Sequence, residues 1–375
     1  MKCKLSDICD FRKGKVDVSK LTLKTYISTE NMLPNKGGIT DASSLPTIQL
    51  TQEYKKGDVL ISNIRPYFKK IWRAKYDGGC SNDVLVFQGN SNIDGDFLYY
   101  VLANDDFFDY SMATSKGTKM PRGDKASIMQ YEVPVFDVDT QRKIASVLRC
   151  LDEKIELNSV INKNLEQQLH ILFIKIFNGI NTDVILGDVV DTTSGGTPSR
   201  KHTEYYENGS ICWVKSKELL GNYIMDTEEH INDIALSKSS AKLLPNHSVL
   251  IAMYGATVGA HGIISKSMAC NQAVCALLCN KKYPYTYLFQ IVQEQQQKLI
   301  NMAVGSAQQN ISQILIKQLP LHSDISSIRK FHDLALPLHK QIEELQAENR
   351  ALSKMRDTLL PQLMSGELDV SDIDL

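Results

Sequence analysis

The stretch Asp139–Phe177, DTQRKIASVLRCLDEKIELNSVINKNLEQQLHILFIKIF, carries an apolar pattern that repeats in alternating steps of four and three residues. Eight of its ten pattern positions are apolar, whereas a hydrophobic content of 43% would give about four. This spacing keeps one stripe of a helix facing a partner helix, as in a coiled coil. The pattern positions are Ile144, Leu148, Leu151, Ile155, Asn158, Asn162, Leu165, Leu169, Leu172 and Ile176.

The same pattern returns 187 residues later, in Ser326–Met364, again with eight apolar positions of ten. Asn162 and Asn349 occupy the same place in the two copies, where a polar residue often sets the register of a coiled coil. Proline disfavours the interior of a helix, so Pro337 is expected to kink the second helix or to mark its start, and Pro361 to end or bend it. The second set of positions is Phe331, Ala335, Leu338, Ile342, Leu345, Asn349, Leu352, Arg356, Leu359 and Leu363.

Each predicted helix follows a globular stretch, and the two stretches repeat one order of motifs. Asp58–Ser62 corresponds to Ser248–Ala252, and Asn82–Leu85 to Asn271–Val274. An internal duplication of a globule followed by a helix explains this order. The predicted fold class is therefore α+β (mixed), with two similar α/β domains separated by two long helices that form an antiparallel coiled coil with an internal pseudo-two-fold. The predicted parts are a first domain (1–138), a first helix (139–178), a second domain (179–322), a second helix (323–364) and a solvated acidic tail (365–375).

Composition excludes some classes of protein. The net charge of −1 shows no global basic excess, which is weak evidence against a nucleic-acid partner because local patches matter more than the sum. No apolar run is long enough to cross a bilayer, and a cytoplasmic location is expected. The eight cysteines show no Cys-x-x-Cys spacing. Cys270, Cys275 and Cys279 lie in an apolar strand-like run and are expected to be small buried residues in a reducing cytosol, with a zinc site as the alternative.

The sequence lacks the motifs of the common catalytic classes. It has no phosphate-binding Gly-x-x-x-x-Gly-Lys-Ser/Thr loop, no methyltransferase motif, no His-Glu-x-x-His and no Gly-x-Ser-x-Gly. Glu53-Tyr54-Lys55 resembles part of a nuclease motif, but no Pro-Asp precedes it. No catalytic residue and no metal ligand is therefore predicted, and any catalysis is expected to come from other proteins.

Two basic loops of the first domain are predicted to contact DNA. Ser62–Tyr76 combines five cations with four aromatic residues and no acid, and Ser115–Lys125 is a glycine-containing loop with further cations. Clustered cations neutralise phosphates, and arginine also pairs with guanine. The aromatic residues are expected mainly in the core, and a solvated edge is the alternative for both loops. The predicted DNA-binding residues are Arg65, Tyr67, Lys69, Lys70, Arg73, Lys116, Lys119 and Arg122.

The corresponding loops of the second domain are less basic. Ser194–Lys201 offers hydroxyls and glycine-freed amides for phosphate contact, and the amide side chains near 308–310 are of the type that pairs with adenine. The predicted DNA-binding residues here are Thr197, Ser199, Arg200, Lys201, Lys215, Lys217, Tyr254, Gln308, Gln309 and Asn310.

Over nearly its whole length the sequence resembles the specificity subunits of type I restriction-modification systems. Four segments carry the resemblance, namely Tyr26–Ile39, Leu151–Asn158, Leu186–Arg200 with its Gly-Gly-Thr-Pro-Ser core, and Leu359–Leu368, which is the most specific. The resemblance implies two target-recognition domains, each reading one half of a bipartite DNA site. The helices would fix the spacing, since the first pattern spans ~48 Å at the rise of an α-helix.

The resemblance also implies partners. Double-stranded DNA, two methyltransferase subunits docked on the helices and restriction (translocase) subunits are expected, with adenine methylation as the reaction of the complex and no membrane. This chain would be non-catalytic alone and bind no cofactor, while S-adenosylmethionine, ATP and Mg would be held by the partners. Two alternatives remain: a non-catalytic coiled-coil scaffold whose domains bind protein or carbohydrate, and methyl transfer by the chain alone.

Overall fold

The computed structural model describes residues 2–303 and 309–373. The chain forms two compact units, unit 1 (Met1–Ile155 with Ala351–Leu375) and unit 2 (Glu156–Arg350). Each long helix contributes one part to each unit, so this division cuts across the five predicted parts, whose boundaries remain predictions. None of the described helices is both long and apolar enough to cross a membrane.

Unit 1 contains two four-stranded sheets and a two-stranded ribbon within its described residues. The strands are β1 (Lys2–Lys4), β2 (Cys9–Phe11), β3 (Lys15–Asp17), β4 (Tyr26–Ile27), β5 (Leu50–Tyr54), β6 (Val59–Ser62), β7 (Ile71–Arg73), β8 (Gly78–Cys80), β9 (Val84–Gly89) and β10 (Glu132–Pro134). The helices are α1 (Gly95–Ala103), α2 (Asp105–Ala113), α3 (Lys125–Ile128) and the long α4 (Val138–Phe177). The sheet orders are β2-β9-β6-β7 and β3-β5-β8-β4, and β1 pairs with β10.

Strand β6 is the centre of unit 1 because both of its faces are buried. Val59 and Ile61 belong to the core that includes α1 and α2, whereas Leu60 belongs to a second core with Trp72. Successive side chains of a strand point to opposite faces, so a continuous apolar run can fill two cores at once.

Unit 2 has the same kinds of element. Its strands are β11 (Thr182–Ile185), β12 (Asp191–Ser194), β13 (Ile211–Val214), β14 (Tyr223–Ile224), β15 (His230–Ile231), β16 (Val249–Ala252), β17 (His261–Ile264), β18 (Ala269–Cys270), β19 (Val274–Leu278) and β20 (Pro320–His322). Its helices are α5 (Leu186–Val189), α6 (Asp233–Lys238), α7 (Tyr285–Glu294), α8 (Gln296–Asn301), α9 (Gln313–Lys317) and the long α10 (Ile325–Ser365). The sheet orders are β12-β19-β16-β17-β14 and β15-β13-β18, and β11 pairs with β20.

The two units share one topology, which confirms the predicted duplication. The order β2-β9-β6-β7 of unit 1 reappears as β12-β19-β16-β17 in unit 2, and each unit closes with a ribbon of its first and last strands. Strand β16 repeats the alternation of β6, because Val249 and Ile251 enter one core and Leu250 another.

Both long helices begin at an aspartate. The Asp137 carboxylate accepts a hydrogen bond from Thr140 N (2.9 Å), and the Asp324 carboxylate accepts one from Ser327 N (3.3 Å). A side chain in this place satisfies an otherwise unpaired amide of the first helical turn. Of the two aspartates near the start of the first helix, Asp137 and Asp139, it is Asp137 that forms the cap.

The twenty predicted pattern positions of α4 and α10 are all buried or half-buried. In unit 1, Ile144 and Leu148 share a core with Leu363. In unit 2, Asn158 donates a hydrogen bond to Asn349 (2.9 Å), and the ring of Phe173 lies 5.4 Å from that of Phe331. Residue numbers rise along one helix as they fall along the other, so the predicted antiparallel pairing is confirmed.

Neither proline marks an end of α10, so the expectation of a helix boundary at these two positions was wrong. The helix continues through Pro337 and Pro361 and ends at Ser365. Phe331 and Ala335, which lie before Pro337, are fully buried. Burying an aromatic side chain such as Phe331 offsets a good part of the about 3 kcal/mol that an interior proline costs.

The prediction of a solvated acidic tail was also wrong in part. Val370 is only 5% exposed and joins the core of unit 1, and Ile373 packs against that core. The Lys143 ammonium donates a hydrogen bond to the Ser371 carbonyl oxygen (2.6 Å). Apolar residues between the carboxylates therefore fasten this segment to unit 1.

Candidate nucleic-acid interface

In unit 1, the two loops that the sequence singled out separately lie side by side. Arg65 N donates a hydrogen bond to Pro121 O (2.8 Å), and Gly123 N donates one to Asn63 O (3.2 Å). We call residues 63–70 and 115–125 the paired loops of unit 1. Residues 63–70 follow strand β6, and residues 115–125 follow helix α2. Rigid elements therefore hold a cationic loop surface in place.

Unit 2 has paired loops in the equivalent place, residues 253–259 and 309–311. Gly255 N donates a hydrogen bond to Gln309 O (2.9 Å), and Ile311 N donates one to Met253 O (2.8 Å). These two bonds repeat the Arg65–Pro121 and Gly123–Asn63 bonds of unit 1 at offsets of 188 to 190 residues. The duplication therefore extends from the scaffold to the surface that the sequence predicted to bind DNA.

Most of the predicted cations of unit 1 are already paired with carboxylates. The pairs are Lys69–Asp105, Arg73–Asp96, Lys116–Asp124 and Arg122–Asp83. The hydrogen bond from Lys116 lowers the pKa of Asp124 to about 2. These partners could not be predicted from the sequence, because most of them lie far away along the chain. The ion pairs reduce the charge available to phosphates.

Lys70 acts inside unit 1. Its ammonium donates a hydrogen bond to the Thr29 carbonyl oxygen (2.6 Å), and burial lowers its pKa. Tyr67 and Phe68 are 48% and 38% exposed and pack on each other, with ring centroids 4.7 Å apart. The expectation that the aromatic residues lie in the core holds for Trp72 but was wrong for Tyr67 and Phe68, which are available to a ligand.

Arg65 and Lys119 differ from the other cations. Among residues 2–303 and 309–373, no carboxylate forms an ion pair with either side chain. Lys119 is exposed. Arg65 is half-buried, and its Nε atom is buried without a hydrogen-bond acceptor. These two cations therefore keep their full charge for a ligand.

In unit 2, three predicted cations gather around two glutamates. Arg200 and Lys215 both pair with Glu229, and the Lys217 ammonium lies 2.6 Å from the Glu228 carboxylate. Burial raises the pKa of Glu229, but the hydrogen bonds from Lys215 and Arg200 outweigh burial and hold that pKa below its ordinary value. The Arg200 guanidinium also lies 4.3 Å from the ring centroid of Tyr206. The cluster is thus largely neutralised.

The remaining predicted residues of unit 2 are polar and exposed. The Thr197 hydroxyl donates a hydrogen bond to the side chain of Gln272, which lies in the turn between β18 and β19. Tyr254 is 40% exposed and forms a β-bridge with Asn310. The other exposed residues are Ser199, Lys201, Gln309 and Asn310. Gln308 lies outside the described residues.

One group of side chains in the described part of the chain has the geometry of metal ligands. Cys212 Sγ, Asp226 Oδ1 and His230 Nε2 lie within 4.8 Å of one another. The His230–Asp226 contact measures 2.7 Å, and the Arg350 guanidinium pairs with the other oxygen of Asp226. That guanidinium already balances the carboxylate, so the contacts are those of a hydrogen-bonded cluster and the zinc alternative gains little support.

A cleft of about 450 Å³ opens in unit 1 beside Asp83. It is lined by hydroxyls and by the carboxylates of Glu30, Asp41 and Asp83, without a lysine or arginine. Acidic walls repel phosphate, so this cleft is distinct in chemistry from the paired loops of unit 1.

Comparison with known proteins identifies the family. A family model described as the type I restriction modification DNA specificity domain matches residues 1–167 and 181–322. The MjaIX specificity subunit of Methanocaldococcus jannaschii is 25% identical, over 85% of this chain and 79% of the relative. The HindI specificity subunit of Haemophilus influenzae is 22% identical, over 97% and 98% of the two chains.

The fold agrees with a solved structure as well. A crystal structure of the type I restriction-modification S subunit from M. genitalium superposes with a TM-score of 0.60 and 16% identity, covering 97% of this chain and 96% of the other. The family model covers well over half of the sequence, in two segments that each contain paired loops. The chain therefore belongs to the type I restriction-modification DNA specificity family.

Proposed function

We propose that this chain directs a DNA methyltransferase complex to a bipartite site, with unit 1 reading one half and unit 2 the other. The single observation that carries the proposal is the presence of paired loops, held by equivalent backbone hydrogen bonds, in both duplicated units. One scaffold with two different loop surfaces suits the recognition of two different half-sites.

The chain itself contributes binding and no catalysis. Exposed Tyr67, the unpaired cations Arg65 and Lys119, and the polar loops of unit 2 supply phosphate and base contacts. S-adenosylmethionine, ATP and Mg belong to the partner subunits in this proposal. The scaffold alternative, with domains that bind protein or carbohydrate, is not favoured by any contact described above.

Two methyltransferase subunits, and restriction subunits with them, are the proposed protein partners. Helix α4 supports docking because four apolar side chains within unit 2 remain about half exposed, at a spacing that returns to one face of the helix. They are Leu157, Val160, Ile171 and Ile174, which are 49–57% exposed. Exposed apolar residues repeated along one face typically mark a protein interface.

Sequencing of methylated DNA tests the proposal. Cells that carry the chain with its methyltransferase partner should methylate adenine in a motif with two specified halves and an unspecified gap. Cells that carry the partner alone should not methylate this motif. Methylation without a bipartite motif, or methyl transfer by the purified chain alone, would contradict the proposal.

We further propose that the paired helices fix the gap between the halves. A heptad inserted in both α4 and α10, after Ile155 and after Arg350, keeps the 4-3 pattern in register and adds about 10 Å of helix. The gap should then lengthen by about three base pairs, at 3.4 Å per pair. An unchanged gap in the methylated motif of this variant would disprove the role of the helices while leaving the reading of the halves intact.

A further inference from the structure

The hairpin that carries the paired loops has two left-handed positions in each unit. In unit 2 both are glycines, Gly255 (φ 73°) and Gly259 (φ 79°). In unit 1 the residues 190 positions earlier are Arg65 (φ 51°) and Lys69 (φ 50°). The same backbone shape is thus built with glycine in one unit and with long cations in the other.

Glycine adopts the left-handed region without strain, whereas a residue with a Cβ atom is strained there. The first left-handed position carries the same turn bond in both hairpins, because Phe68 N bonds to Arg65 O (3.0 Å) as Val258 N bonds to Gly255 O (3.1 Å). The scaffold therefore does not require arginine at position 65. Strain of this kind is typically kept at functional positions.

The surroundings of Arg65 separate it from Lys69. Lys69 pairs with Asp105 at 2.8 Å. Arg65 forms no ion pair within residues 2–303 and 309–373, and its Nε atom is buried without a hydrogen-bond acceptor. A planar guanidinium with an unsatisfied donor and no compensating carboxylate is suited to a ligand with two acceptors in one plane.

We propose that Arg65 is a specificity-determining residue of unit 1 that pairs with a guanine base of its half-site. This inference rests on the proposed function and names the residue and the base that carry part of it. Guanine presents O6 and N7 in the major groove, and arginine binds both at once. A phosphate contact would need only a cation, which the exposed Lys119 supplies without backbone strain.

Arg65→Gly is the decisive variant because it gives unit 1 the residue that unit 2 uses. It should fold at least as well as the parent chain, as followed by the fluorescence of Trp72, the tryptophan of unit 1. In the methylome of cells with the methyltransferase partner, discrimination at one G·C pair should fall about tenfold to a hundredfold, in one half-site only. The other half-site should be unchanged.

Arg65→Lys and Lys119→Ala are the matched controls. Arg65→Lys keeps the charge but loses the planar fork, so it should relax the same G·C pair. Lys119→Ala should weaken methylation evenly across sequences without changing the motif. Two outcomes would overturn the inference about Arg65 while leaving the proposed function intact. One is unchanged specificity in Arg65→Gly or Arg65→Lys, and the other is a motif with no guanine in either half. A parent chain that yields no bipartite motif would overturn the proposed function too.

Discussion

Units 1 and 2 share their strand order but differ in the loop that follows the central strand. After β6, unit 1 carries Arg65, Tyr67 and Lys69, whereas after β16 unit 2 carries Tyr254 and Thr257 but no charged residue up to Gly259. The two backbone hydrogen bonds that pair the loops are equivalent in both units. The comparison teaches that the buried alternation of the central strand sets the scaffold, while the loop is free to change its chemistry.

The interiors of the two units differ as well. All eight histidines of the chain lie in unit 2, and none lies in unit 1. The helix contacts also differ. In unit 1, helices α4 and α10 are joined by the ion pair of Asp152 with Arg356 (2.7 Å). In unit 2, they are joined by the amide pair of Asn158 with Asn349 (2.9 Å). Two buried tryptophans, Trp72 in unit 1 and Trp213 in unit 2, report on the units separately.

The largest effect is expected from Arg356→Ala in unit 1. Arg356 is half-buried, and its ion pair with Asp152 raises its pKa against the effect of burial. Removing one partner of such a pair leaves an uncompensated charge and should lower the free energy of unfolding of unit 1 by about 3 kcal/mol. Denaturant unfolding, followed by the fluorescence of Trp72, measures this loss. Both the parent and the variant carry Trp213→Phe so that Trp72 is the fluorescent tryptophan observed.

The double variant Asp152→Asn with Arg356→Met is the control, because it removes both charges and leaves an acceptor for the Tyr100 hydroxyl, which now donates to Asp152 (2.8 Å). It should recover most of the lost stability. A loss below about 1 kcal/mol in the single variant would show that the pair is only a surface contact.

The next effect is acid sensitivity confined to unit 2. Burial lowers the pKa of His339 to about 3, and Tyr223 holds its Nδ1 atom at 3.0 Å. The unfolded chain takes up a proton near pH 6.5 and the folded unit does not, so stability is full above pH 6.5 and falls below it. Between pH 7.5 and pH 5, His339 alone should cost unit 2 about 2 kcal/mol.

Trp213 should report this loss, and Trp72 should not. His339→Gln should flatten the dependence, although burial also lowers the pKa of His261, His322 and His332, so some slope will remain. Equal acid sensitivity of both tryptophans would contradict the assignment to the histidines of unit 2.

Asn158→Leu should raise the stability of unit 2 by about 1 kcal/mol, because Asn158 is fully buried and its Oδ1 atom has no hydrogen-bond donor. Unfolding followed by Trp213 measures the gain, and Asn164→Leu at an exposed position is the matched control. A decrease in stability would show that the Asn158–Asn349 pair stabilises unit 2 in addition to setting the register of the helices.

The smallest effect concerns the left-handed positions. Lys69→Gly should stabilise unit 1 by about 0.5 kcal/mol, because glycine removes the strain at φ 50°. The mirror change Gly259→Ala should destabilise unit 2, since φ is 79° and the new Cβ would lie 2.9 Å from Ile300 Cγ1. Thermal unfolding of both variants measures the two changes in stability, which should have opposite signs. Changes of the same sign would contradict the explanation of the two hairpins by backbone strain.

Sequence reasoning predicted the parts of the fold that depend on periodicity. The 4-3 pattern identified both long helices, and its twenty positions are all buried or half-buried, although Asp152 and Phe173 also contact the partner helix without belonging to the pattern. The repeated motifs identified the duplication. It misjudged Pro337 and Val370, because tertiary burial outweighed the local preference of proline and of an acidic segment.

The site was predicted less completely than the fold. The two loops of unit 1 were found from charge and glycine content, but their pairing across the Arg65–Pro121 bond depends on tertiary structure. The carboxylate partners of Arg73 and Arg122 were missed for the same reason. The left-handed backbone of Arg65 had a sequence signal only in its repeat partner, Gly255.

Unit 1 is assembled from one segment that is synthesised before unit 2 and one that is synthesised after it. Its core takes Leu360, Leu363 and Val370 from the segment Ala351–Leu375, whereas unit 2 is continuous from Glu156 to Arg350. During synthesis, unit 2 is therefore complete while unit 1 still waits for its closing segment. A premature stop near residue 350 should leave unit 2 intact and remove the part of the core of unit 1 that residues 351–375 supply.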